Sequence, residues 1–367
     1  MAAQPHLKRI TEARETLSRE EARELMQQIL AGQLSDLELS ALLGALAARG
    51  ETAAEIAGFV DVMRTAATPL PLTDAERGLL VDTCGTGGDA SGTFNISTAA
   101  ALVAAATSKI TAFNIMVAKH GNRAVTSQSG SADVLEALGI PVNLSPSQAA
   151  EALRRHHFAF LHAPSLHPAM KAVMPVRRAL GIRTVFNILG PLTNPAGARA
   201  QVMGVYSERL VVPVAQAMEL LGLRHAFVVH GATAPDANGK GMDEASICGA
   251  TQIAEVRTAS STAVAFLQLT PDEVGLLCEP VASLRGGDAS TNAAILRSIF
   301  SGETGPRRSV VLLNAALVLI SAGIVPAAST DLISSIQAGV RLAAQAIDSG
   351  AVSELIAELS SSPLTEP

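Results

Sequence analysis

A break at Thr68-Pro69-Leu70-Pro71-Leu72 separates two hydrophobic periodicities, and the second of them sets the fold class. Beyond the break, short apolar runs alternate with longer helical stretches. Residues 78–83 (GLLVDT) read as a strand and Ile96–Ala106 as a helix. Residues 115–118 read as a short strand, and 132–138 as a helix stopped by Gly139. Further on, strands over 201–206 and 226–230 flank a helix over 210–221. Strand-helix-strand alternation implies a mainly parallel sheet with helices on both faces. The last hundred or so residues are rich in alanine helices, with no repeat of solenoid period.

Before the break the pattern is helical throughout. Ser18 precedes Glu21, Ser35 precedes Glu38, and Thr52 precedes Glu55. Each pair fits a capping box, in which hydroxyl and carboxylate satisfy orphan amides at a helix start. Gly32 and Gly50 stand where the first two helices should stop. The expectation is α/β: a small N-terminal helical domain, then a larger domain with a mainly parallel central sheet flanked by helices.

Composition narrows the function classes. Hydrophobic residues are 48% of the 367 and charged residues 16%, enough for a sizeable core. The net charge of -6 argues against a nucleic-acid-coating protein, whose phosphate contacts need basic excess. Cys84, Cys248 and Cys278 form no CxxC pair and suggest neither a disulfide framework nor a zinc site, so a reducing cytoplasm is the simplest home. The opening MAAQPHLKRITEARE lacks the apolar core of a signal peptide. The most apolar stretch, 310–325, is short for a membrane span and carries Asn314 and Ser321, so it reads as a buried core helix.

Four segments could carry chemistry. The first is Asp82-Thr83-Cys84-Gly85-Thr86-Gly87-Gly88-Asp89, which follows a strand and leads through Thr93-Phe94-Asn95-Ile96-Ser97-Thr98 into a helix. Three glycines let backbone amides close on an anion, and the helix start adds unpaired N–H groups. Taken alone, the segment serves equally as an ordinary strand-to-helix turn. A GxGxxG fingerprint would need glycine where Ala90 stands, and no Gly-Lys-Ser/Thr run follows for a Walker loop. The second is the loop Lys119-His120-Gly121-Asn122-Arg123 with Ser127, Ser129, Gly130 and Ser131, offering cations, hydroxyls and another helix start. The third is Asp243-Glu244, a pair that suits Mg²⁺ and is also ordinary surface chemistry. The fourth is residues 164–178, with His167, Met170, Arg177 and Arg178; an arginine there could clamp a carboxylate at two points. His156 and His157 read as helix surface or packing residues.

Together these segments resemble the anthranilate phosphoribosyltransferase family. The matching text is GTGGD, TFNIST, VAKHGNRAVTSQSGSADVLEALG, HPAMKAVMPVRRALGIRTVFNILGPLTNP and the MDE ending at Glu244. The resemblance implies a homodimer whose active site lies at a hinge. The helical domain would cover residues 1–72, with part of 165–182 packed on it, and the α/β donor-binding domain 73–367. The implied reaction joins anthranilate to 5-phosphoribosyl-1-pyrophosphate with Mg²⁺, and involves no nucleic acid or membrane. By position, Gly85, Gly88, Asp89, Thr93, Asn95, Ile96, Ser97 and Thr98 would hold the phosphoribosyl donor. So would Lys119, His120, Gly121, Asn122, Arg123, Ala124, Val125, Thr126, Ser127 and Ser131. Gly85, Asn122 and Arg177 would meet anthranilate, and Ser97, Asp243 and Glu244 the Mg²⁺. Pro164, His167 and Met170 match the segment lining the acceptor's path. Between Ala106 and Val117 this chain is longer than the family pattern, which predicts a bulged surface turn and leaves the reach of Lys119 to be tested. Two other functions compete: a nucleoside phosphorylase of the same fold group, against which the KHGNR run argues, and a catalytically silent nucleic-acid binder, against which the negative charge argues.

Overall fold

The computed structural model describes residues 4–124, 128–235, 241–258, 263–325 and 331–361. Three of its early helices, Arg19–Leu30, Asp36–Arg49 and Ala53–Ala66, begin at the predicted capping boxes. A further helix, Gln4–Thr11, precedes them. Glu55 does more than cap. It is fully buried, accepts the Leu17 amide at 2.8 Å, and pairs with Arg49 at 2.5 Å. The break at 68–72 is packed chain: Leu70 is buried and the Thr68 amide donates to the Leu166 carbonyl at 2.9 Å.

The larger part is built on one eight-stranded sheet. Its strands are β1 (Leu80–Gly85), β2 (Met116–Gly121), β3 (Phe158–His162), β4 (Ala200–Gly204), β5 (His225–Ala232), β6 (Gly241–Met242), β7 (Thr251–Arg257) and β8 (Val264–Leu269). The order is β3-β2-β1-β4-β5-β7-β8, with β6 paired to β5. The five strands from β3 to β5 are parallel, and β6, β7 and β8 add antiparallel pairs. The mainly parallel expectation therefore holds, with an antiparallel edge that sequence reading did not anticipate.

Alternation along the strands feeds two faces. Phe227 and Val229 of β5 join the largest apolar cluster, built on the helices Ile96–Ala106, Pro306–Ser321 and Leu332–Asp348. Ala226 and Val228 of the same strand join a second cluster that contains Leu25, Leu42 and Phe59 of the N-terminal helices. Residues 310–321 are all buried in the Pro306–Ser321 helix, and no helix among the described residues is long and apolar enough to cross a membrane.

The chain runs outward from β1 through β2 to β3, then returns to place β4 on the other side of β1. Where strand order reverses, the loops leaving neighbouring strands diverge and open a crevice at the strands' C-terminal ends. The glycine turn leaves β1 at that point. Two strand limits differ from expectation. β1 runs two residues further, to Gly85, and β2 reaches Gly121, so Lys119 and His120 are strand residues and not loop. The long stretch before β2 does form a surface turn: a short 3-10 helix, Thr107–Lys109, then exposed Ile110 and Phe113.

Candidate active site

Two glycines form the floor of the crevice. Gly85 and Gly204 are register partners at the ends of β1 and β4, and a Cβ on either would collide with Asp243. Gly231 of β5 stands in the same relation to the Glu244 carbonyl and Ser246. Three adjacent strand ends thus lack side chains, and the segment following β6 lies across them. Asn314, which interrupts the apolar run, pins this segment: its carboxamide exchanges hydrogen bonds with the Ala245 backbone at 3.0 and 2.9 Å.

The glycine turn closes over this acidic segment. Gly87, Gly88 and Ala90 have positive φ, +70°, +76° and +60°, the left-handed backbone that lets successive amides face one concavity. The Gly87 amide donates to Asp243 Oδ2 at 2.6 Å, and the Asp243 amide donates to Asp89 Oδ2 at 3.3 Å. Behind the turn, the Ser97 amide at the start of the Ile96–Ala106 helix donates to Glu244 Oε1 at 3.1 Å. Burial pushes the Asp243 carboxyl well above its usual range, and Asp89 and Glu244 push it further. Burial likewise raises Glu244, to about 7, against the pull of Lys119 and the Ser97 amide.

Lys119 supplies the counter-charge. Only 2% exposed, it donates to the Thr83 carbonyl at 2.7 Å and to Ser97 Oγ at 3.3 Å. Burial lowers its pKa, while nearby acids, Asp82, Glu244 and Asp243 among them, favour its charge. Asp82 lies beneath, fully buried; burial raises it to about 6, against the pull of Asn194, Lys119 and the His120 amide.

Gly121, Asn122, Ala124 and Ser131 form one tight corner: Ser131 Oγ donates to the Asn122 carbonyl at 3.4 Å and the Ala124 amide to Asp133 at 2.9 Å. A Cβ on Gly121 would strike Ser131 Oγ. Arg123 is taken up by Glu136 at 2.7 and 2.8 Å and by Asp133 at 3.1 Å. Val125, Thr126 and Ser127 lie outside the described residues. Thr93 bridges to Arg285, Asn95 lies beside Ser129, and the side chains of Ile96 and Thr98 are buried. Gly88 and Asp89 belong to the turn itself.

The 164–178 segment meets this region through histidine. The rings of His120 and His167 lie 5.0 Å apart, centroid to centroid. Arg177, on the helix Met174–Leu180, is half-buried with its guanidinium 5.3 Å from the centre of the Phe186 ring, and burial lowers its pKa. Among the described residues, no hydrogen bond or ring contact joins Arg177 to Asn122. Arg183 escaped sequence reading. It donates to the Gly88 carbonyl and stacks on the Tyr206 ring at 4.6 Å. Its neighbours in sequence do not announce that contact, which spans 95 residues.

Residues 77–353 match the glycosyl transferase family a/b domain, and residues 4–67 the helical bundle domain of the same family. An anthranilate phosphoribosyltransferase from Symbiobacterium thermophilum is 46% identical over 94% of this chain and 93% of its own length. One from Brevibacillus brevis is 47% identical over 92% and 91%. The chain belongs to the anthranilate phosphoribosyltransferase family. Its fold agrees: the crystal structure of the Thermus thermophilus anthranilate phosphoribosyltransferase superimposes with a TM-score of 0.82, at 41% identity, covering 96% of this chain and 98% of that one. The Saccharomyces cerevisiae anthranilate phosphoribosyltransferase, in complex with PRPP and Mg, gives 0.81 at 26% identity, covering 98% and 96%. The activity is the family's: transfer of the phosphoribosyl group of 5-phosphoribosyl-1-pyrophosphate to anthranilate, giving N-(5-phosphoribosyl)anthranilate and pyrophosphate in tryptophan biosynthesis.

Proposed function

We propose that this transfer takes place in the crevice above Gly85 and Gly204, with the glycine turn and the Ile96–Ala106 helix start holding the donor and Asp243 and Glu244 holding Mg²⁺. The observation that carries this is the crowding of the Asp89, Asp243 and Glu244 carboxylates on one another, with the buried ammonium of Lys119 beside Asp243 and Glu244. Like charges at such range are relieved by a cation, and the ligands are hard oxygens. No group of three or more His, Cys, Asp or Glu side chains is arranged as a metal cage among the described residues. Mg²⁺ does not require one, because it keeps several waters and shares substrate phosphates with one or two carboxylates. Asp243, Glu244 and the Ser97 hydroxyl would be its protein ligands.

The work of this chain's residues follows from their chemistry. Negative charge grows on the leaving pyrophosphate as its bond to ribose C1 breaks. Bound Mg²⁺ supplies charge neutralisation there. Lys119 and the amides of the turn are donors already fixed where that charge develops, so little reorganisation accompanies the step. Thr93, Asn95 to Thr98, and the residues from Lys119 to Ser127 with Ser131 complete the donor site. Asn122 and Arg177, with Gly85, hold anthranilate, Arg177 by two-point contact with its carboxylate. Pro164, His167 and Met170 line its way in. No general base is needed, since an aromatic amine is neutral at pH 7 and becomes acidic once bonded to carbon. Positioning therefore supplies much of the rate.

The helical domain, residues 1–72 with part of 165–182, and the α/β domain, 73–367, meet at this crevice. The enzyme is a homodimer paired through its N-terminal helices, where Leu37 is 84% exposed. The cytoplasm is its compartment, in keeping with three free cysteines. The deciding experiment follows anthranilate fluorescence in the presence of 5-phosphoribosyl-1-pyrophosphate, with and without Mg²⁺. Loss of fluorescence that depends on both supports the reading; no loss under any condition refutes it. Incubation with thymidine or uridine and phosphate tests the phosphorylase alternative, and light scattering in solution tests the dimer.

A further inference from the structure

The text Gly286-Gly287-Asp288-Ala289-Ser290 repeats Gly87 to Ser91, and at first sight it only starts a helix. It does start one. Asp288 caps the helix Ala289–Phe300 and accepts the Thr291 amide at 2.8 Å. The residues around it do something else as well. The Phe94 amide donates to the Leu284 carbonyl at 3.1 Å, and the Gly286 amide donates to the Gly92 carbonyl at 3.0 Å. Thr93 and Arg285 form an antiparallel bridge between these bonds. A short ribbon thus fastens the C-terminal region onto the backbone that links the glycine turn to its helix. The approach is close enough to require glycine: a Cβ on Gly286 would stand 2.7 Å from Phe94 Cα and 2.8 Å from Asn292 Oδ1.

Asn292 completes the contact. It is 2% exposed, and both ends of its carboxamide are used. Its oxygen accepts the Gly287 amide at 2.8 Å, and its nitrogen donates to Asn95 Oδ1 at 2.8 Å. Asn95 Oδ1 also accepts from Ser129 Oγ at 3.4 Å, and Asn95 Nδ2 donates to the Ser129 carbonyl at 3.4 Å. A carboxamide has one accepting end and one donating end, and its neighbours decide which way it lies. The strong contact with Asn292 commits the oxygen of Asn95 to the protein. The amino group gives one N–H to the Ser129 carbonyl, and its other N–H is left as the bond available to an anion.

We propose that Asn292, seated by Gly286, is a positioning residue for the donor site: it fixes the carboxamide of Asn95 with its N–H bonds, not its oxygen, facing the phosphoribosyl donor. This rests on the reading of Asn95 as a donor contact. Were Asn95 reversed, a carbonyl oxygen would confront a phosphate and repel it. The C-terminal region then contributes to donor affinity without touching the donor.

The test compares N292D, N95A and the N95A/N292D double variant in the full-length protein, measuring KM for 5-phosphoribosyl-1-pyrophosphate, KM for anthranilate and kcat. In N292D the new carboxylate still accepts the Gly287 amide but has no donor for Asn95. The expected result is a rise of about five- to ten-fold in the donor KM, the size of one lost or reversed hydrogen bond. The anthranilate KM stays where it was. N95A raises the donor KM as well, and adding N292D to it has little further effect. If N292D leaves the donor KM unchanged while N95A raises it, this inference falls and the donor site stands. Independent, multiplying effects in the double variant also overturn it, because Asn292 would then not act through Asn95. An N95A enzyme with normal donor KM removes Asn95 from the donor site, and the inference with it. Should N292D not fold, N292S is read in its place, its hydroxyl being too short to reach Asn95.

Discussion

Acid should unfold this protein in part through two buried imidazoles. His120 and His167 are 5% and 7% exposed and lie ring to ring at 5.0 Å. Neither Nε2 has a hydrogen-bond partner among the described residues. Burial pushes His120 down to about 3, with His167 and Lys119 adding repulsion, and burial pushes His167 down to about 4. Both rings are therefore neutral in the folded protein, whereas unfolded histidines titrate near about 6.5. As pH falls, the unfolded chain takes up these protons first. Stability from this source is fully present above about pH 6.5 and is lost as pH falls towards the folded values. At pH 5 an unfolded histidine lies about 1.5 pH units below its pKa, which is worth about 2 kcal/mol per ring at about 1.36 kcal/mol per unit. The pair together should cost about 4 kcal/mol between neutral pH and pH 5. Urea unfolding of the wild type and of His167→Asn at pH 7 and pH 5 isolates one ring, since His120 is held neutral chiefly by burial, which both proteins share. The variant should lose about 2 kcal/mol less than the wild type over that interval. Equal losses in the two proteins would refute the claim that His167 is held neutral by its burial.

Three further outcomes follow from the site. Arg177→Ala should raise the KM for anthranilate about ten-fold or more, the scale of a charge-assisted two-point contact, with kcat much less affected; unchanged steady-state kinetics would remove Arg177 from the acceptor site. The double substitution Asp243→Asn with Glu244→Gln should abolish the dependence of turnover on added Mg²⁺ and most of the turnover with it, while thermal unfolding shifts upward as the buried repulsion is relieved; full activity would exclude the pair as metal ligands. Gly204→Ala places a methyl group against the Asp243 carbonyl. A displacement of about 1 Å at the reacting centre costs about 100-fold in rate, so circular dichroism should report a native fold and the fluorescence assay a strongly reduced kcat.

Sequence reading succeeded where structure is local. Ser18, Ser35 and Thr52 cap their helices through residues three positions away, and such contacts are written into the text. The helix Ile96–Ala106 was legible to the residue because an apolar run follows a turn that cannot continue a strand. The ends of β1 and β2 were missed for the opposite reason. Lys119 and His120 look like loop residues, yet the ammonium of Lys119 is satisfied by Thr83, 36 positions away on the adjacent strand, and such distant partners are what make a buried lysine tolerable. β7 and β8 pair antiparallel, a relation that no periodicity reveals. Asn314 was read as an interruption of an apolar stretch; its purpose is visible only once Ala245, 69 residues away, lies against it. Arg183 and Asn292 belong to the same class, polar residues whose partners are chosen by the fold.

The apolar cluster that joins the N-terminal helices to the sheet has a bearing on how the chain can be cut or joined. Leu25, Leu42 and Phe59 share it with Val176 and Val185, and with Met203, Val205 and Val228 of the strands and their continuation. A shortened chain beginning after Ala66 would present that row of valines and methionines to water and invite self-association. The two pieces expressed separately should instead seek each other out, and a split version complemented in trans would recover activity only on reassembly.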